Sequence, residues 1–357
     1  MKVLPFLMVK KSKQKVFVGM SGGVDSSVSA FLLQKAGYDV VGVFIKTWHP
    51  DFVTCTEVED RRDAIRVAAK LGIPLFTFDL EREYRDSVGK KFIADYGRGL
   101  TPNPDVLCNR EIKFGGFWRL AKTRGADFIA TGHYAGVSNA GKKYNLSLPK
   151  DNEKDQTYFL WTLTEKDLEH VLFPLSGLTK PEVRAIAKRE GLFTATKKDS
   201  QGVCFLGDVD MKEFLGHYHK TQPGKVLDTR GKIIGSHNGA LFFTLGERHG
   251  FTIKGGSKVP YFVVAKDVKK NTLTVSPEKL PADFVKTRYE ILSANFIGHV
   301  PRNCFYRARY REPLKDCVLT KTGKKIFVEF KKPELYSPGQ SIVFYDSKNC
   351  LGGGIIK

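Results

Sequence analysis

The chain has 357 residues, with 58 Lys and Arg against 38 Asp and Glu for a formal net charge of +20. It is long enough for two or three domains, and its surface attracts polyanions, nucleic acid foremost, the plain alternative being a solvated basic face. The cysteines at 55, 108, 204, 304, 317 and 350 form no C-x-x-C pair, which argues against structural zinc and a disulfide framework. No run approaches 18 apolar residues, and lysines 10, 11, 13 and 15 follow Val3 to Val9 where a cleavage site would stand, so the expectation is a cytoplasmic protein without membrane span or signal peptide.

Val16 to Met20, Val40 to Lys46, Leu75 to Asp79 and Phe128 to Ala130 predict buried strands. Between them, Val28 to Lys35, Val58 to Leu71, Tyr84 to Tyr96 and Cys108 to Lys122 predict helices long enough to cross over between parallel strands. This alternation predicts an α/β fold with a doubly wound parallel sheet, which binds ligands at the carboxyl ends of its strands. Thr179 and Pro181 predict the start of a further helix that ends by Gly191. After a short helix through Phe214, β-prone runs at Ala240 to Leu245 and Tyr261 to Ala265 predict a small β-rich module. From about Tyr289, strands and turns predict a terminal barrel or sandwich. The expected boundaries are 1–207, 208–286 and 287–357.

Ser21-Gly22-Gly23-Val24-Asp25-Ser26 joins the first predicted strand to the first helix. Two glycines let backbone approach phosphate, and a helix starting just after them aims N–H groups and a positive dipole end at the anion. No Gly-Lys-Ser/Thr closes the loop, and Asp25 brings negative charge where the Walker pattern has Lys, an arrangement that suits a nearby Mg²⁺. Strand, glycines, Asp and Ser in this order favour a nucleotide over ordinary loop punctuation.

Cys108 follows the rigid loop 101–107, and a thiol near a helix N-terminus has its thiolate favoured; Asp105 would share its helical face. Cys204 follows Lys197, Lys198 and Gly202, which again suit a reactive sulfur. For both, a small buried hydrophobe is the competing reading. Ala130-Thr131-Gly132-His133-Tyr134 puts Gly132 and His133 on the sheet's ligand edge, His133 contacting phosphate or base, or else being structural. Lys154-Asp155-Gln156 reads by itself as a charged helix start.

The strings SGGVDS, NPDVLCNREIKF, ATGHYA, KDQTYFLW, KKDSQGVCF and CLGGGII, in this order from about Lys15 to Ile356, closely resemble the bacterial-type tRNA-specific 2-thiouridylases. These belong to the PP-loop ATP pyrophosphatases. The resemblance implies a PP-loop catalytic domain, a small β-rich central domain that contacts tRNA and a C-terminal β-barrel that binds tRNA. It also implies a reaction in which ATP adenylates C2 of the wobble uridine and a persulfide then supplies sulfur. It assigns catalysis to Cys108, Cys204 and Asp105, with Cys204 carrying the persulfide and Cys108 attacking it to end in a disulfide. ATP, with Mg²⁺, falls on Gly19, Met20, Ser21, Gly22, Gly23, Val24, Asp25, Ser26, Ile45 and Gly132. The target base falls on Asn103, Pro104 and Asp105, and further tRNA contacts on His133, Lys154, Asp155, Gln156, Arg309, Tyr310 and Gln340. The implied partners are tRNA and a persulfide donor or relay protein, met by a monomer.

Some positions depart from the family pattern: Ile45 stands where methionine is common, Glu247 replaces a usual Gln, and Thr252-Ile253-Lys254 replaces a glycine-rich continuation. The alternative chemistry is an iron–sulfur cluster on Asp105, Cys108 and Cys204 that holds the transferred sulfur, an unusual ligand set. The alternative functions are a PP-loop synthetase adenylating a small molecule and a tRNA-binding protein with a lapsed ATP site.

Overall fold

The computed structural model describes residues 13–53, 56–141, 143–198 and 210–357. Five parallel strands form the first sheet: β1 (Lys15–Gly19), β2 (Asp39–Lys46), β3 (Leu75–Asp79), β4 (Phe128–Ala130) and β7 (Val171–Leu172), in the order β3-β2-β1-β4-β7. Val16, Phe17 and Val18 on central β1 are all buried, as an unbroken apolar run requires when helices cover both faces. The crossover helices include α1 (Val24–Lys35) and α2 (Glu57–Leu71). α1 starts four residues earlier than the apolar pattern predicted, so its first turn lies inside the Ser21–Ser26 motif.

The chain between β4 and β7 holds an element that periodicity did not reveal. β5 (Gly136–Ala140) and β6 (Lys143–Ser147) form a hairpin that leaves the parallel sheet, and β6 pairs with β18 (Asn349–Ile356) near the end of the chain. Tyr158 and Trp161 follow the hairpin into the same junction. The Tyr158 hydroxyl donates to Ala308 O and Ser341 O at 3.0 and 3.1 Å, and Trp161 Nε1 donates to Ser341 Oγ at 3.3 Å.

The middle sheet has the order β10-β9-β8-β12-β11, from β8 (Gly224–Leu227), β9 (Ile233–His237), β10 (Phe251–Ile253), β11 (Phe262–Asp267) and β12 (Thr272–Ser276). The β-prone run at Ala240 to Leu245 is no strand: Ala240–Phe242 is a 3-10 turn entered through Gly239 at φ +127°. Its apolar side chains serve burial alone, with Ala240, Leu241 and Phe243 in the interior. The last six strands, β13 (Lys286–Phe296), β14 (Asn303–Arg307), β15 (Lys315–Thr322), β16 (Lys325–Glu334), β17 (Ser341–Tyr345) and β18, close into a barrel because β13 pairs with both β16 and β18.

Candidate active site

The loop after β1 is built by its own hydroxyls and glycines. Met20 N–H donates to Val43 O at 2.7 Å, keeping the chain in the sheet one residue past Gly19. Gly22 has φ +72°, and a Cβ there would lie 2.3 Å from Asp60 O, so a side chain is excluded on both counts. Ser26 and Ser27 donate to Gly23 O at 3.1 and 2.7 Å, turning the serines back onto the helix they begin. That local bonding starts α1 at Val24. No side chain caps Gly23, which leaves the first-turn N–H groups for a ligand. Gly132 packs against this turn: a Cβ on it would stand 2.8 Å from Ser26 N and 2.9 Å from the Asp25 carbonyl carbon. Ile45, on β2, is half-buried.

Asp25, expected beside Mg²⁺, is instead bound by protein. Lys180 Nζ lies 2.8 and 2.7 Å from its two carboxylate oxygens, and the Tyr134 hydroxyl donates to Oδ1 at 3.0 Å. Among the described residues no group of three His, Cys, Asp or Glu forms a metal cluster. Were Mg²⁺ to arrive with a nucleotide, Asp25 is the residue here that would hold it, supplying a carboxylate oxygen. Lys180 is itself buried, at 8 % exposure. Sequence reading took its surroundings only as a helix start, although a lysine at the first residue of Lys180–Arg189 runs against the dipole preference for acids there.

Between β3 and β4, Asn103 caps a helical segment, accepting from Asp105 N and Val106 N at 3.1 and 3.2 Å, with Pro104 as first helical residue. Helix runs from Pro104 to Lys122 through a π-helical stretch at Asn109–Gly116. Burial pushes the half-buried Asp105 carboxyl above its usual range, with Lys113 opposing. Cys108 is three residues along on the same face, but it is buried, at 2 % exposure. It is also the fifth helical residue, past the turn where the dipole favours a thiolate, so the expected activation by the helix end is not built in.

Lys197 is likewise not available to a sulfur: its Nζ lies 2.7 Å from both Asp60 and Asp63 of α2. Cys204 lies outside the described residues. His133, read as a contact to phosphate or base, is a buried ring with Nδ1 2.8 Å from Thr131 Oγ1, between Phe114 and Phe173 at 5.8 and 6.2 Å. Burial, with Lys113 adding to it, holds His133 well below its usual value and therefore neutral, so it offers no positive charge to a phosphate. Lys113 thus acts on both Asp105 and His133; it stood in the NREIKF string without being singled out.

The remaining residues lie where the sheet domain meets the barrel. Asp151 caps the 3-10 turn Asn152–Lys154, which holds a half-buried Lys154. Asp155 is buried at 3 % exposure and pairs with Arg307 of β14 at 2.7 Å. Gln156 clasps the Tyr134 backbone, accepting from its N–H at 2.9 Å and donating to its carbonyl at 3.0 Å. Asp155 and Gln156 therefore form a structural joint in this state. Arg309 is exposed and reaches Leu245 O at 3.4 Å, Tyr310 packs on Phe159 at 4.6 Å, and Gln340 donates to Ala308 O at 2.6 Å. Arg309 and the turn containing Glu247 thus adjoin, linking barrel and middle sheet.

Comparison with known proteins gives three family matches: a tRNA methyl transferase HUP domain over 14–208, a tRNA methyl transferase PRC-barrel domain over 212–277 and an aminomethyltransferase beta-barrel domain over 286–356. The tRNA-specific 2-thiouridylase MnmA of Streptococcus sanguinis (strain SK36) is 46% identical over 360 residues, covering 98% of this chain and 96% of its own. That of Streptococcus mutans serotype c matches with the same identity and coverage. Among solved structures, the U34-tRNA thiolase NcsA from Methanococcus maripaludis with its [4Fe-4S] cluster is 19% identical at a TM-score of 0.37, over 59% of this chain and 68% of its own. That likeness is too slight to argue from. Identity sustained over nearly all of both sequences is not, and by it the chain belongs to the tRNA-specific 2-thiouridylase family.

Proposed function

We propose that the protein is an ATP-dependent tRNA-uridine 2-sulfurtransferase, which replaces the C2 oxygen of the wobble uridine with sulfur. The observation that carries this reading is 46% identity to a 2-thiouridylase over 98% of the chain, in which a glycine-built loop follows β1 and an acid and a thiol share one helix face. Methyl transfer, which two of the domain descriptions name, calls for neither feature.

Uridine O2 attacks the α-phosphorus of ATP; the O2–P bond forms, the bond to the bridging oxygen breaks, and its electron pair leaves with pyrophosphate. The loop N–H groups and the positive end of α1 stabilise that departing charge. Asp105, its carboxyl raised above its usual range by burial, accepts the N3 proton and later returns it. A persulfide on Cys204 then attacks C2 and AMP departs. Cys108 attacks the Cys204 sulfur, breaking the S–S bond to release 2-thiouridine and leaving a Cys108–Cys204 disulfide for reduction. Because Cys108 is buried before tRNA binds, this last step requires its exposure when the anticodon loop docks. The wobble base leaves its stack cheaply in a loop. Exposed Arg309 and the chain's +20 charge supply phosphate contacts, and Mg²⁺ accompanies ATP. The protein acts in the cytoplasm as a monomer that takes sulfur from a persulfide donor or relay protein.

The test is mass spectrometry of nucleosides from unmodified tRNA incubated with protein, ATP, Mg²⁺ and a persulfide donor. Thiouridine that forms only with ATP, and not with Cys204→Ala, is the expected result; none with a competent donor and bound tRNA overturns the reading. Anaerobically purified protein without stoichiometric iron separates the persulfide route from a cluster, which would lose its iron in Cys108→Ala.

A further inference from the structure

The strongest unassigned feature is the Lys180–Asp25 pair. Lys180 is the first residue of the helix Lys180–Arg189, and its ammonium reaches Asp25, the second residue of α1, at 2.7 and 2.8 Å. Two helix N-termini therefore converge on one place, each carrying roughly half a positive charge. A buried ammonium is added to them, and one carboxylate balances it. Structural needs alone would put an acid at the start of Lys180–Arg189, and Glu182 of its capping box already fills that role. The pair is also held by Tyr134, whose hydroxyl donates to Asp25 at 3.0 Å and whose ring lies 5.9 Å from Lys180 Nζ. Net positive character, uncapped N–H groups at Gly23 and glycines at 22 and 132 that keep side chains away make a cradle complementary to a polyanion.

We propose that Lys180 is a phosphate-contacting residue of the ATP site, held on Asp25 until nucleotide arrives and then passed to the β- and γ-phosphates that depart as pyrophosphate. This rests on the functional reading above and adds a residue to it. The exchange needs no proton transfer. Asp25 loses an ammonium and gains the Mg²⁺ that accompanies ATP, while Lys180 loses a carboxylate and gains phosphate oxygens. As the bond from the α-phosphorus breaks, its electron pair leaves on an anion that Lys180 faces. A lysine serves here because a flexible point charge can change partners, which a fixed bidentate guanidinium does less readily.

The experiment is calorimetric titration of the full chain with Mg²⁺-pyrophosphate and, separately, with AMP. It compares wild type, Lys180→Gln, Lys180→Arg, Asp25→Asn and the double variant Asp25→Asn/Lys180→Gln at one ionic strength. Loss of a charged hydrogen-bonding partner predicts about 10- to 100-fold weaker pyrophosphate binding by Lys180→Gln, with AMP affinity nearly unchanged. Lys180→Arg keeps part of the affinity. The double variant decides whether Lys180 merely screens Asp25. It stays about 10-fold or more weaker than Asp25→Asn if the ammonium touches phosphate; if it equals Asp25→Asn, the proposal is overturned. Equal losses of pyrophosphate and AMP affinity in Lys180→Gln, or no loss of either, also overturn it, as does a wild type that binds no pyrophosphate. Thiouridine formation by the wild type reports separately on the functional reading.

Discussion

The two regions proposed for nucleotide and sulfur chemistry are prepared to different degrees. At the nucleotide end the backbone is already shaped: Gly22 and Gly132 leave room for the loop, serines fix the start of α1, and Lys180 and Tyr134 hold Asp25. At the sulfur end Asp105 is in position on its capped helix, but Cys108 is buried and Lys197 is committed to two carboxylates. The contrast suits the proposed chemistry. ATP is always at hand and gains from a preformed cradle, whereas an exposed thiolate invites oxidation and is needed only when tRNA and persulfide are both present.

The sharpest test of that contrast is Cys108→Ser. It should lower thiouridine formation by about a thousandfold or more, as loss of a nucleophile commonly does, while ATP-dependent pyrophosphate release with tRNA persists. Loss of both would mean that the two ends are not separately prepared. Next in size, Arg307→Met leaves the Asp155 carboxylate buried without its partner at the joint to the barrel. Breaking such a pair from one side costs roughly 3–5 kcal/mol, visible as an earlier chemical unfolding midpoint; an unchanged midpoint would show that the joint is not held by this pair. A smaller effect is expected from Gly132→Ala. Its methyl would meet Ser26 N and the Asp25 backbone at 2.8–2.9 Å and push the first turn of α1 aside. Strain of about 1–3 kcal/mol should appear as a raised KM for ATP with tRNA affinity intact; equal weakening of both ligands would instead point to general unfolding.

How much of this was legible in the sequence differs between the same two ends. The parallel sheet and the Ser21–Ser26 loop were legible because unbroken apolar runs and paired glycines are local signals. Lys180 was not, since its partner is 155 positions away and its own neighbourhood spells a capping box. Cys108 was read as helix-activated because the string shows that a helix begins nearby; it does not show that the sulfur falls past the first turn and into the core. The hairpin β5–β6 escaped because its partner strand, β18, lies some two hundred residues downstream. For His133 the sheet edge left both a ligand and a structural reading open, because Phe114 and Phe173, which bury it, come from other elements.

The finest test concerns Lys113, whose charge acts on both Asp105 and His133. Burial raises the Asp105 carboxyl and Lys113 opposes that rise, so Lys113→Met should raise it further. If Asp105 takes the N3 proton, the acid limb of the thiolation rate follows its ionisation. The limb should then move to higher pH in Lys113→Met, with the plateau above it preserved, and it should vanish with the activity in Asp105→Asn. Stability carries the same sign. A carboxyl raised on folding is a cost that sets in as pH climbs past its unfolded value and is complete above its folded one, so Lys113→Met should lose stability relative to wild type as pH climbs from acid to neutrality. His133 contributes in the same direction, so the kinetic limb, not stability, distinguishes Asp105. The value of His133 is lowered by burial first and by Lys113 second, so removing the lysine lets the ring protonate more readily and eases the cost of folding in acid. Equal acid limbs in Lys113→Met and wild type would show that Asp105 does not set the rate, and would leave the base role to be sought elsewhere.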